Sequence, residues 1–329
     1  MPPDQLIDAE PSPTQRAVLA VLAVLAGRPI TEVAGQYRMN ATVLSDAVTV
    51  YDQAGRAALA RHAASTDWWQ TYLHFTNWAD ADTTFTTHVL PAVEEAENAG
   101  TINGWWYTRK HPCWRLRLHL HAPAAKHHIG DHLNRLVNSG HLHRWWPGIY
   151  EPETAAFGGT ASMTAAHALF TTDSRHIQQL PHRHLAAGPR ELSVLLCTIM
   201  MRAAGLEWYE QGDVWHRVIT TEHRSDTRNI PTDLLNARAH EIRPLLHADT
   251  DALIGPGGPL ESVAEWAAAF HHTGQQLAHA VHTGTLDRGL RHILSYHTIF
   301  HWNRLGLSQR SQSILAYAAR TAILHKQPN

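Results

Sequence analysis

The sequence predicts an α+β fold, an antiparallel sheet packed with helices, preceded by a small all-α module that is helix-turn-helix-like. Three observations carry this reading. Apolar residues in segment 13–64 recur only at helical spacing. Segments 68–78 and 105–121 are aromatic and strand-like. Beyond about residue 160 the chain is a succession of helical patterns, so strands come early and helices late.

In order along the chain, residues 1–12 are acidic and Pro-rich and read as a disordered lead. They lack the basic stretch of a secretory signal. Residues 17–25 form one apolar helix, stopped by Gly27-Arg28-Pro29. The run is too short to span a bilayer, which takes about 20 residues. A short helix follows over 31–36, capped by Thr31. Asn40 or Thr42 caps a third, with Val43, Leu44, Ala47, Val48 and Tyr51 on one face. Short helix, turn, longer helix is the helix-turn-helix order. Direct DNA binding is not expected of it. Between Asn40 and Gln53 there is no Lys or Arg, and Asp46 and Asp52 would be repelled by phosphate. A peptide-binding groove and a simple helical cap both remain open for this module.

The larger domain, residues 65–329, begins with the strand-like segment 68–78. Residues 82–98 read as a helix with a register break at Pro91. Residues 105–121 read as one strand. Within it Trp114, Leu116, Leu118 and Leu120 alternate with Arg115, Arg117, His119 and His121. The polar face is either a solvated outer face or an anion site, since an Arg fork binds a carboxylate bidentately. Residues 126–137 are helical, 150–159 form a loop, and a helix starts at 163–169. Segment 189–204 is strongly apolar and reads as the centre of the core. Helices follow over 207–223, 260–282, 289–301 and 308–325, with a loop at GPGGP, residues 255–259.

Composition narrows the class. The 329 residues are 44% hydrophobic and 17% charged, with a net charge of −2. This is a globular composition without the basic footprint of a nucleic-acid binder. The 27 histidines make the net charge swing positive below about pH 6. Two cysteines, Cys113 and Cys197, without paired spacing point to a reducing cytoplasm. No Gly-rich phosphate loop, GxSxG elbow or zincin motif is present. His240 and His247 flank Pro244, which should keep them off one helix face, so no metal site is expected.

Three segments carry the chemistry. The first holds Arg115 and Arg117. The second, 150–174, holds Tyr150, Glu151 and Glu153 around a Pro, then a Gly-Gly turn. The third, 296–307, places His297 and His301 at i and i+4, followed by Asn303 and Arg304. A His near an Arg suits proton transfer beside an anion, although His301 also suits a satisfied core or cap position.

Together these segments resemble the C-terminal, glutamate-elimination domain of class I lantibiotic dehydratases, whose stand-alone forms are the thiopeptide-type bacteriocin biosynthesis proteins. That family's aromatic-x-R element and R-x-R strand correspond to Trp105-Trp106-Tyr107-Thr108-Arg109 and Arg115-Leu116-Arg117. Its Y-x-x-E, aromatic-Gly-Gly and D-S elements correspond to Tyr150, Glu153, Phe157-Gly158-Gly159 and Asp173-Ser174. Its H-x-x-N-R-L-G element corresponds to His301-Trp302-Asn303-Arg304-Leu305-Gly306. The order is right and the match runs from about residue 68 to 320. One departure is Ala156, where the family often has an Arg tied to elimination.

The resemblance implies a cytoplasmic lyase that removes glutamate from glutamylated Ser or Thr of a precursor peptide. Dehydroalanine or dehydrobutyrine is left behind. It implies Arg115, Arg117, His301, Glu153 and Tyr150 as catalytic residues, and Arg109, Arg304, Asn303 and His119 as substrate-binding ones. It implies a leader-bearing precursor peptide and a separate tRNA-dependent glutamylating subunit as partners, with no cofactor, no metal and no membrane. A homodimer stays open. The alternatives are a [4+2] cycloaddition pyridine synthase, which Ala156 favours, and a non-catalytic precursor- or partner-binding subunit.

Overall fold

The computed structural model describes residues 12–66, 68–183, 185–221 and 230–324, and the expected disordered lead falls almost wholly outside them. The chain divides into two compact units, residues 1–66 and 67–329.

The first unit holds α1 (Pro13–Leu25), α2 (Ile30–Gln36) and α3 (Ala41–Thr66). Ser12 and Gln15 form a capping box at the start of α1. Helix α2 begins one residue before the expected Thr31 cap, behind Pro29 and without a side-chain cap. Asn40 caps α3, its Oδ1 accepting from the N–H of Thr42 (2.8 Å) and Val43 (3.3 Å). Ala20, Val21, Val33, Ala34 and Leu44 form a small core of their own.

The second unit is built on a four-stranded antiparallel sheet. Its strands are β1 (Trp68–Phe75), β2 (Ile102–Lys110), β3 (Cys113–Leu120) and β4 (Leu142–Gly148), in the order β2-β3-β1-β4. The single strand expected over 105–121 is thus a hairpin, because the chain turns at His111-Pro112 and pairs Lys110 with Cys113. Pro fixes the turn and removes a ladder donor. Between β1 and β2, α4 (Ala81–Thr84) runs through a π-turn (Phe85–Val89) into α5 (Leu90–Asn98). The expected register break therefore falls immediately before Pro91, where the extra residue relieves the missing N–H. Strand β4 is an element the sequence did not suggest.

Register defines the two faces. Trp105, Tyr107, Trp114, Leu116, Leu118, Trp69 and Leu73 lie on one. Helix α6 (Ala124–Asn138) packs there, and a Cβ on Gly130 would sit 3.3 Å from Trp145 of β4. The opposite face holds three cross-strand rows. They are Gly104–His119–Trp68, then Trp106–Arg117–Gln70–Gly148, then Thr108–Arg115–Tyr72–Trp146.

The remaining helices form the other layer. They are α7 (Thr160–Gln179), α8 (Pro189–Ala203), α9 (Trp208–Thr220), α10 (Thr232–His247), α11 (Thr250–Ile254), α12 (Ala264–His282), α13 (Leu290–Leu305) and α14 (Gln309–Leu324). Helix α8 is buried almost all round from Leu192 to Met201, as its apolar sequence predicts. Pro244 lies inside α10 and does not end it, so His240 and His247 share one helix after all. His247 stacks on Trp208 at 4.1 Å. Helices α7 and α13 pack on β2. The Ser174 hydroxyl accepts from the Tyr107 N–H (3.4 Å), which occupies an otherwise open sheet edge. No described helix is long and apolar enough to cross a membrane.

Candidate active site

The rows of the second sheet face are not a solvated surface. Arg117 is only 3% exposed. Its Cζ lies 4.0 Å from the Trp106 ring and 5.1 Å from the Tyr150 ring, and its Nη1 donates to Thr108 Oγ1 (3.3 Å). Aromatic faces take a guanidinium well because it is weakly hydrated. Burial pulls the Arg117 pKa down to about 10, so it stays a cation at neutral pH. Arg115, half-buried, lies 5.6 Å over the ring of Tyr72. Neither arginine forms an ion pair with a carboxylate among the described residues.

The loop from Tyr150 to Gly159 supplies the wall beside them. Tyr150 is half-buried and Glu153 exposed, and the Glu153 charge acts on both Arg117 and Tyr150. The Glu153 carbonyl accepts from the N–H groups of Ala156 (2.9 Å) and Phe157 (3.1 Å), which closes the loop on itself. Gly158 and Gly159 have φ of 80° and 108°, a region that favours glycine. A Cβ on Gly158 would also collide with Ile293 of α13, and one on Gly159 would lie 2.7 Å from Asp287. The Gly-Gly pair thus lets the loop dock tightly on α13. Phe157 is fully buried against Phe170, His297 and Phe300.

Tyr150 Oη lies 2.7 Å from Nε2 of His167, on α7. The sequence reading missed His167, which looks like part of an ordinary helical run. Burial, with help from His119 and Arg117, pushes its pKa down to about 3, so the ring is neutral. Burial also raises the Tyr150 phenol, against the pull of Arg117. His119 stacks on Trp68 at 4.9 Å, on the same face. Arg115, Arg117, Tyr150, Glu153 and His119 are therefore brought together.

The third segment goes elsewhere. His301 is 0% exposed, and its Nδ1 lies 3.0 Å from both carboxylate oxygens of Asp173. Arg304, equally buried, donates from Nε to Asp173 Oδ2 (2.6 Å), and Trp266 Nε1 donates to Oδ1 (2.9 Å). Burial alone would raise the Asp173 carboxyl, but His301 and Arg304 hold it below its ordinary value. The Arg304 guanidinium lies 4.3 Å from the ring of Phe170, whose ring lies 4.7 Å from Trp106. An aromatic layer thus stands between this network and Arg117. Asn303 accepts from Gln312 (3.1 Å) and ties α13 to α14. Arg109 lies over Trp114 (4.8 Å) on the other sheet face, ion-paired with Asp82. Asp82 and Arg109 line a separate cavity of about 770 Å³. Among the described residues no group of three His, Cys, Asp or Glu is placed to hold a metal ion.

A partly covered face with two cations, a carboxylate and a phenol can bind an anionic group and move a proton beside it. The matches to known proteins agree with the fold. Residues 68–323 match the family described as the C-terminal part of the lantibiotic biosynthesis dehydratase. No curated protein matches the chain. The tRNA-dependent lantibiotic dehydratase MibB from Microbispora sp. 107891 superposes with a TM-score of 0.56 at 20% identity, over 77% of this chain and 28% of that one. TsrL gives 0.51 at 16% identity, over 78% of this chain and 94% of its own. The pyridine synthase TbtD, from thiomuracin biosynthesis, gives 0.52 at 15% identity, over 78% and 98%. At these identities the likeness is one of fold, and this chain spans under a third of MibB.

Proposed function

The chain belongs to the lantibiotic biosynthesis dehydratase C-terminal family, and from that premise we propose that it is a lyase of lanthipeptide or thiopeptide biosynthesis. It eliminates glutamate from glutamylated Ser or Thr of a precursor peptide and leaves dehydroalanine or dehydrobutyrine. The observation that carries this reading is the pair Arg115 and Arg117, side by side on one sheet face and without a carboxylate partner among the described residues. A guanidinium this buried is costly unless an anion completes it. The free carboxylate of a glutamyl ester is such an anion, and glutamate leaves as a second one.

The step is a β-elimination. Glu153 takes the α-proton, its electron pair forms the Cα=Cβ bond, and the Cβ–O bond breaks to release glutamate. Charge gathers on the neighbouring amide oxygen as the proton leaves. The Tyr150 hydroxyl donates to that oxygen, where a preorganised donor lowers the barrier most. Arg117 and Arg115 hold the glutamyl group and stabilise the departing carboxylate. His119 and Trp68 complete the wall. His301 and Arg304 act through structure, holding the Phe170 layer behind Trp106. The ester is supplied by a separate tRNA-dependent glutamylating subunit, the partner that the family resemblance implies; the MibB neighbour is itself tRNA-dependent.

The second reading, a [4+2] pyridine synthase, is favoured by Ala156 and by the uncharged Tyr150–His167 pair, which suits proton shuffling on a neutral substrate. Mass spectrometry separates the two. Given a precursor peptide bearing glutamylated Ser, the lyase yields a product lighter than the unmodified peptide by one water. An untouched ester together with cyclisation of a peptide carrying two dehydroalanines would establish the synthase instead. Tight binding without any mass change would leave a binding subunit.

A further inference from the structure

His167 has no role in the elimination as written, and no motif marks it, yet its placement is specific. It projects from α7 onto the second sheet face, beside the row that carries Arg117. Trp68 lies 4.8 Å from its ring and Trp106 6.2 Å. Its Nε2 meets Tyr150 Oη at 2.7 Å, and that is the ring's hydrogen bond among the described residues. Tyr150 in turn lies over Arg117 and edge-on to both Trp68 and Trp106. The phenol is thus fixed at its ring and fixed again at its oxygen.

A phenolic hydroxyl has one proton and turns to suit its partners. Left alone, Tyr150 Oη–H would point wherever an acceptor lay. We propose that His167 is a positioning residue acting through Tyr150, its Nε2–H donating to Oη so that the phenolic proton is turned away from the imidazole, toward the amide oxygen that gains charge as the α-proton leaves. This rests on the elimination reading above. Burial, His119 and Arg117 all keep the imidazole uncharged, so it carries one N–H and one lone pair. With Nδ1 making no hydrogen bond among the described residues, a proton on the nitrogen that faces Tyr150 leaves no ring N–H unpaired, which is the arrangement proposed. A donor already resting on Oη also polarises the O–H, since linked hydrogen bonds strengthen one another in a poorly solvated site. No covalent change occurs at His167, and no proton leaves it.

The test has a spectroscopic and a kinetic arm, both on the full chain. Long-range ¹H–¹⁵N correlation spectra at pH 7, with the His167 signals identified by their loss in His167→Gln, report the tautomer directly. A protonated Nε2 and a bare Nδ1 are expected. A protonated Nδ1, or a ring carrying both protons, overturns the proposal. In the kinetic arm, on the glutamylated peptide, His167→Phe keeps the aromatic contacts but not the donor. It should lower kcat about tenfold, roughly the loss of one oriented hydrogen bond, with KM little changed. His167→Gln, whose amide N–H reaches the same oxygen, should recover most of that loss. In a Tyr150→Phe background, His167→Phe should cost nothing further. Equal losses in both backgrounds, or a glutamine variant as poor as the phenylalanine one, would contradict an action through Tyr150. If the wild-type protein leaves the ester intact, the elimination reading fails by itself, and the tautomer still decides the placement of the His167 proton.

Discussion

Arg117 and Arg304 are the same residue type in nearly the same setting, each almost or fully buried and each about 4 Å from an aromatic ring, Trp106 and Phe170 respectively. They differ in what completes them. Arg304 has Asp173, which also holds His301 and accepts from Trp266. Arg117 has a threonine hydroxyl and no carboxylate in ion-pair contact among the described residues. One guanidinium has its counter-charge inside the fold, although its Nη1 and Nη2 find no hydrogen-bond partner among the described residues. The other has no carboxylate counter-charge among the described residues and lies on the face proposed above to take the substrate. Burial of an arginine therefore says little about its role until its counter-charge is found.

The largest expected effect comes from removing the counter-charge of Arg304. Asp173→Ala leaves three buried partners, Arg304, His301 and the Trp266 N–H, without their acceptor and should destabilise the protein by about 3–5 kcal/mol. Chemical denaturation would show it, and a loss below about 1 kcal/mol would remove the distinction drawn here. Arg117→Met sharpens the contrast from the other side. Turnover should fall about 100-fold or more, while the denaturation midpoint stays level or rises, because a costly buried charge is gone. Arg304→Met should do the reverse, lowering stability through the orphaned Asp173.

His297 gives a smaller effect with a definite sign. It is fully buried against Phe157 and Phe170, and neither ring nitrogen has a hydrogen-bond partner among the described residues. Burial, then Arg304, push its pKa down to about 3. The unfolded chain takes up that proton near pH 6.5 and the folded one does not, so stability is lost as pH falls through this window. The slope from this residue is about 1.4 kcal/mol per pH unit. His297→Phe should raise stability at pH 7 by about 1 kcal/mol and flatten the acid loss in thermal melts between pH 6.5 and 4. The smallest effect is at half-buried Arg115. Arg115→Ala should raise KM about tenfold with less change in kcat, as expected for a group that binds the anion but stands further from the reacting atoms.

Much of this was legible in the sequence, and the failures have physical causes. The alternation of β3 correctly separated Arg115 and Arg117 from Trp114, Leu116 and Leu118. It could not show that the polar face is covered, because α7 and the loop from Tyr150 that cover it lie far along the chain. The hairpin was read as one strand since the turn at His111-Pro112 sits inside an unbroken aromatic and basic run. Strand β4 was missed because Trp145, Trp146 and Pro147 break its alternation. His297 and His301, at i and i+4, read as a pair on one helix face, with both a proton-transfer and a core position open for His301. Helix α13, however, is buried on nearly every side from Ile293 to Arg304, so amphipathic spacing had nothing to report. Asp173 and Ser174 look like a motif of unknown purpose until the fold shows one anchoring His301 and Arg304 and the other closing the β2 edge. His167 had no local signal at all, since only the packing of α7 beside Trp68 and Trp106 brings it to Tyr150.

The most direct measurement compares single-turnover elimination of a glutamylated precursor peptide by the wild-type protein, Arg117→Met and His301→Gln, each normalised to its folded fraction. If Arg117 belongs to the reaction and His301 to the architecture, Arg117→Met leaves the ester intact while folded His301→Gln releases glutamate at close to the wild-type rate. The opposite result, an active Arg117→Met beside a folded but inert His301→Gln, would contradict that division and move the reaction to the Asp173 network.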